Sequence, residues 1–174
     1  LLPLAYFINK NEKKKFFTAV ALKTKGAGKE ILIGILLGLT FFVTGAIGIY
    51  IRQNGGSLDL NAIIQGKNVI YFAVIALFTS TSEEILSRGF VLKRLYEQSK
   101  NIFLSSFFAS VLFFFLHVPI LFTTDKISGQ MLLQVMLTDL VLSMAVSFLF
   151  IRRRNLISPI VVHALYSLSI YLFI

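Results

Sequence analysis

The residues of this 174-residue chain that could do chemistry are few, and they sit in apolar surroundings. Glu83-Glu84-Ile85-Leu86-Ser87-Arg88 stands near the end of an apolar run that begins around Val69. The only two histidines, His117 and His163, fall in two later apolar runs. An ionised group at bilayer depth costs roughly 2.5–3.5 kcal/mol even on lenient insertion scales, so such a cluster needs internal pairing, a function, or both. On a helix, Glu84 and Arg88 face each other four residues apart in the favourable order, acid before base, whereas Glu83 points about 100° away. One carboxylate is thus neutralised locally, and the other is left to act as a general base. A base, imidazoles from two further segments and local water are what a hydrolytic site assembled between membrane helices requires. Cysteine is absent, which removes thiolate nucleophiles and thiolate metal ligands and leaves Glu, Asp, His, Ser and Tyr to carry any reaction.

Taken singly, each of these residues has a plainer explanation. A lone Glu84/Arg88 pair is more often a buried structural ion pair, and a lone membrane histidine is as often a packing or hydrogen-bonding group as a reactive one. Phe113 is one of 18 phenylalanines and carries little weight alone. Asp139, in a later apolar run, fits a helix-to-helix hydrogen bond better than a site role. The combination differs, because it places both histidines of the chain and a glutamate with no sequence-local partner on three separate spans.

The elements that must position them are membrane helices. With 56% hydrophobic and 14% charged residues and a mean hydropathy of +0.82, the chain is far more apolar than a soluble domain with its roughly 25% charged residues. Apolar stretches run over about Ile31–Ile51, Val69–Leu92, Ile102–Phe122, Met131–Ile151 and Leu156–Ile174, each near the roughly 20 residues that cross about 30 Å of hydrocarbon as a helix. The predicted fold is an all-α, polytopic membrane helix bundle with about five complete spans. Leu1–Ile8 reads as the tail of a further apolar segment, so residues 1–30 are expected to hold a truncated apolar segment and a basic cytoplasmic region, and residues 31–174 the membrane domain. Phe16–Leu22, a short apolar interruption among lysines, is expected to lie along the interface. Gly34, Gly38, Gly45 and Gly48 would let another helix approach the first complete span closely.

The net charge of +9 has a topological explanation. If the segment before Ile31 is cytoplasmic, 14 of the 17 Lys and Arg residues fall on the cytoplasmic side, at 10–29, 88–100 and 152–154, and only Arg52, Lys67 and Lys126 lie outside. That asymmetry obeys the positive-inside rule, and the basic loops then meet anionic lipid headgroups. A nucleic-acid partner is not expected.

Glu-Glu-x-x-x-Arg at 83–88, Phe-x-x-x-His at 113–117 and a third-motif histidine at 163, in that order on successive apolar spans, resemble the CPBP family, the CAAX protease and bacteriocin-processing (Abi) intramembrane proteases. The resemblance covers residues 69–174, and Arg88-Gly89 and Asn155-Leu156-Ile157-Ser158-Pro159-Ile160 supply fitting context. It implies an endopeptidase in a multi-pass membrane protein, with the site in a cavity open toward the cytoplasm and the bacterial plasma membrane as the expected setting. The implied substrates are a peptide or the C-terminus of a lipidated protein, as in CAAX processing, bacteriocin maturation or self-immunity. Carried over by motif, Glu83 would activate the water, Glu84 and Arg88 would orient it, and His117 and His163 would complete the site. Glu83, His117 and His163 could instead ligate a divalent metal such as zinc with one position open for water. The metal-free alternative makes Glu83 the base and His163 the oxyanion donor.

One position departs from the family pattern. Asn or Asp usually follows the third-motif histidine by four residues, and this chain has Ser167 there. A catalytically impaired relative that binds or regulates a membrane partner is therefore the alternative reading. An ion- or proton-coupled transporter using the same carboxylates is a more distant one, since no inverted repeat is evident.

Overall fold

The computed structural model describes residues 1–13, 15–54, 68–121 and 129–173, with side chains described except at 49–54, 116–121 and 129–132. Among the described residues there is no strand. The helices are α1 (Leu2–Glu12), α2 (Phe16–Ala19), α3 (Ala27–Asn54), α4 (Val69–Glu84), a π-helical segment (Ile85–Leu92), α5 (Lys93–Ser99), α6 (Ile102–Leu121), α7 (Gly129–Arg153) and α8 (Ile157–Phe173). α4, the π-helical segment and α5 run on as one rod, Val69–Ser99. Asn68 starts it by accepting a hydrogen bond from the Tyr71 amide (3.0 Å), and Lys100 in the left-handed region ends it.

The all-α membrane class expected from composition is what the structure shows. Among the described residues, three helices are long and apolar enough to cross a bilayer, Ala27–Gly48, Val69–Ser99 and Leu133–Arg153. Ile102–Phe115 and Ile157–Phe173 are shorter apolar helices, and the 17 residues of α8 rise only about 25 Å. Ile35, Leu36, Ile70, Phe78, Phe103, Phe107 and Val141 are among the large apolar side chains left exposed, as suits surfaces that face lipid.

α3 lies along α8 in the most extensive helix contact of the bundle. Its glycines make this possible: a Cβ at Gly34 would stand 2.7 Å from Val161 Cβ and 3.1 Å from Ser158 O, and one at Gly38 would stand 2.7 Å from Leu165 Cδ1 and 3.1 Å from Val162 Cα. Without hydrophobic drive between helices in lipid, such close backbone approach is how association is secured. Glu30 adds a polar clamp. Its Oε1 accepts from Arg153 Nη2 at 2.5 Å and its Oε2 from Ser158 Oγ at 3.0 Å, which joins α3, α7 and the first turn of α8.

The Phe16–Leu22 segment packs against the bundle through its small residues, while Phe17 stays exposed. Ala19, Val20 and Ala21 are buried in one core with Ile85, Leu92, Phe150 and Leu156. Gly89 gives them room, since a Cβ there would stand 2.9 Å from Val20 Cβ and 3.0 Å from Val20 O. Leu156 N donates to Ala21 O, and Asn155 exchanges hydrogen bonds with Lys23, so the segment also fixes the start of α8. The three basic stretches gather at this end of the bundle: Glu12 pairs with Arg94, Glu30 with Arg153, and Arg154 lies 5.0 Å over the Tyr96 ring.

Candidate active site

α4 and α8 run in opposite directions side by side, and their polar residues meet in rungs. Glu84 of α4 faces His163 of α8, and one turn further along Ser80 faces Ser167. The helical spacing of four brings Glu84 and Arg88 together at 2.7 Å, both fully buried. Both terminal nitrogens of the Arg88 guanidinium are engaged. Nη1 donates to Glu84 Oε1 and to Ser87 Oγ (2.9 Å), and Nη2 donates to Ser143 O (3.1 Å) and Ser143 Oγ (2.7 Å) of α7. Its Cζ also lies over the ring of Phe113 of α6, 4.4 Å from the centroid.

The π-helical segment makes this network possible. Three consecutive residues, Ser87, Arg88 and Gly89, are buried together, because the widened turn is held between Ser143 on one side and Val20 and Leu156 on the other. Single stretches of π-helix recur at functional sites for this reason, since they re-aim side chains without breaking the helix.

His163 lies between the two glutamates. Its Nδ1 is 2.9 Å from Glu84 Oε1, and its Nε2 is 3.5 Å from Glu83 Oε2. An ionised Glu84 can only accept, so Nδ1 carries the proton and Nε2 is the nitrogen turned toward Glu83. The 3.5 Å separation exceeds an ordinary N–H···O hydrogen bond, so the pair faces a common space without being locked together. Glu83 is the open member of the group, with its side chain 36% exposed against 1% for Glu84. It lies on a cavity of about 550 Å³ lined by Leu1, Pro3, Leu4, Ser82 and Leu86, apolar apart from Ser82 and Glu83 itself.

Of the residues singled out in the sequence, the structure brings together Glu83, Glu84, Arg88 and His163, with Ser167 one turn beyond His163. His117 is on α6, but its side chain lies outside the described residues. Phe113, one turn before it, packs edge-on against the His163 ring at 5.6 Å between centroids. Phe113 therefore touches both Arg88 and His163, a role its abundance in the sequence concealed. Ser80 and Ser143 were also missed. Ser80 carried a legible signal, since it precedes Glu84 by four and so shares its helix face, whereas Ser143 carried none. Asp139 is buried on α7, one turn before Ser143.

The donor set suits a metal only in part. Glu83 Oε2 and His163 Nε2 share a space, and His163 is oriented through Nδ1 by a carboxylate, as metal-bound histidines usually are. A catalytic zinc takes three protein ligands, and among the described residues no group of three His, Cys, Asp or Glu is placed to hold a metal. Glu84 Oε2 is buried without a hydrogen-bond partner among those residues.

The family model described as type II CAAX prenyl endopeptidase, Rce1-like, matches residues 65–169, which is more than half of the chain and includes every residue of this network. The chain belongs to this family. Membership in the Rce1-like family makes it a CAAX-type intramembrane protease at the family level, in agreement with the membrane-grade helices. No curated protein and no solved structure matches the chain.

Proposed function

We propose that this Rce1-like chain hydrolyses a peptide bond near the C-terminus of a prenylated protein, using a water activated by Glu83. The observation that carries this reading is the relay Ser143–Arg88–Glu84–His163, which ends on a nitrogen facing Glu83, the more exposed of the two adjacent carboxylates. Arg88 and Glu84 hold the imidazole in one orientation, and preorganisation of this kind is what electrostatic catalysis requires. Glu83 takes one proton from the water as the water oxygen bonds to the scissile carbonyl carbon. The C=O electron pair moves onto the carbonyl oxygen, which accepts hydrogen bonds from the Nε2–H of a doubly protonated His163, whose Nδ1–H stays on Glu84, and from the Ser167 hydroxyl. Collapse of the tetrahedral species breaks the C–N bond, and the leaving amine takes the proton from Glu83. The products are a new carboxyl terminus and a free peptide amine.

His117 completes the site in this reading. A divalent ion such as zinc, if resident, would be held by Glu83, His163 and His117 and would supply Lewis acidity to the same water. The gathering of the basic stretches at one end of the bundle supports an orientation with that end, and the peptide substrate, on the cytoplasmic side of a bacterial plasma membrane. The test is to incubate the purified protein in bilayers with a farnesylated C-terminal peptide and detect the released fragment by mass spectrometry. Absence of cleavage across farnesylated, geranylgeranylated and unmodified peptides would contradict the reading.

A second reading rests on Ser167, which stands where the family pattern has Asn or Asp. In that reading the chain keeps the fold and binds a membrane partner, including in bacteriocin self-immunity, without cutting it. An immunity phenotype that survives Glu83→Gln would favour it.

A further inference from the structure

The serines and threonines of the rod around Glu83 are mostly committed to their own helix. Thr79 donates to Ile75 O, Thr81 to Leu77 O, Ser82 to Thr79 O and Ser87 to Glu83 O, each at 2.6–3.0 Å. Ser80 is different. It is fully buried, it makes no such bond to its own helix, and its hydroxyl has Ser167 Oγ of α8 as its partner at 3.5 Å. This contact is the rung next to Glu84–His163, since Ser80 precedes Glu84 by one turn and Ser167 follows His163 by one turn.

We propose that Ser80 is a positioning residue that makes Ser167 competent as an oxyanion donor. A serine hydroxyl has one proton on a free rotor, whereas the side chain of Asn carries donors fixed in a plane on a longer arm. Either hydroxyl could donate across this contact, and in the proposed arrangement Ser80, the fully buried member, donates to Ser167 Oγ. That donation occupies a lone pair of Ser167 and turns the Ser167 proton away from α4. Hydrogen bonds in series also polarise one another, so the Ser167 O–H becomes a better donor than an isolated hydroxyl. Ser167 is only half-buried, so its outward side can meet the carbonyl oxygen of a substrate. The 3.5 Å separation is long for an O–H···O bond, and it is expected to tighten when the developing charge pulls on Ser167. Two small hydroxyls from facing helices then do what one larger side chain at position 167 would do alone.

This inference rests on the proteolytic reading, and the experiment separates the two. Cleavage of a farnesylated C-terminal peptide is measured for the full chain, Ser80→Ala, Ser167→Ala, the double variant and Glu83→Gln, with melting temperatures to confirm folding. Ser80→Ala is expected to lower kcat about tenfold with KM changed less than about twofold, a fraction of the roughly 10²–10³-fold loss of a direct oxyanion donor. In the Ser167→Ala background, Ser80→Ala is expected to add less than about twofold, because its effect passes through Ser167. An unchanged kcat in Ser80→Ala, or an equal loss in both backgrounds, would overturn the assignment of Ser80 while leaving proteolysis intact. Cleavage that survives Glu83→Gln, or no cleavage by the unmodified chain, would overturn the proteolytic reading and this inference with it.

Discussion

His163 Nδ1 lies 2.9 Å from Glu84 Oε1, and that one contact ties the last helix to the polar turn of the Val69–Ser99 rod. Glu84 Oε1 accepts from Arg88 at the same time, so the histidine is oriented by a carboxylate that is itself held in place. The rung fixes which nitrogen of His163 faces Glu83, and the proposed mechanism depends on that orientation.

Arg88→Ala is expected to destabilise the protein by about 3–5 kcal/mol, the usual cost of leaving a buried partner charge uncompensated. Glu84, fully buried, would keep only His163 as a partner. Arg88→Lys keeps the charge but loses the fork that reaches both Ser143 and Glu84, so it is expected to fall between Ala and the native residue. Thermal unfolding in detergent reads both, and equal melting temperatures for Arg88→Ala and the native chain would contradict the network.

Gly38→Leu tests how α8 is held. Even a Cβ at this position would stand 3.1 Å from Val162 Cα, so the larger side chain must push α3 off the helix that carries His163. Overpacking of this kind costs about 1–3 kcal/mol. The expected result is a lower melting temperature together with lower activity, while Gly28→Leu, where a Cβ meets nothing within 4 Å, leaves the melting temperature unchanged.

Much of this arrangement was legible in the sequence, and the limits have physical causes. Membrane class and helix positions followed from apolar runs whose length matches a bilayer, and the Glu84–Arg88 pair followed from helical spacing. The meeting of Glu83 with His163 involves residues 80 apart in the chain, and only motif order hinted at it. The π-helical turn left no signal in composition, and the close approach of Gly89 to Val20 and Leu156 within it involves residues far apart in the chain. The lysine flanks of Phe16–Leu22 did not reveal that Ala19, Val20 and Ala21 fill a core between the rod and α8.

Chelation distinguishes the two forms of the mechanism. In the metal-free form, with Glu83 as the base, activity is expected to persist after prolonged treatment with 1,10-phenanthroline and extensive dialysis. Loss of activity on chelation, restored by zinc, would instead assign Glu83, His163 and His117 as metal ligands.

The most direct measurement is cleavage of a farnesylated C-terminal peptide by the purified chain and by Glu83→Gln in the same bilayers. The substitution keeps the size of the side chain and removes the base, so a fall of about 10²–10⁴-fold in kcat is expected with unchanged expression and melting temperature. Equal rates for the two proteins would contradict the claim that Glu83 activates the water.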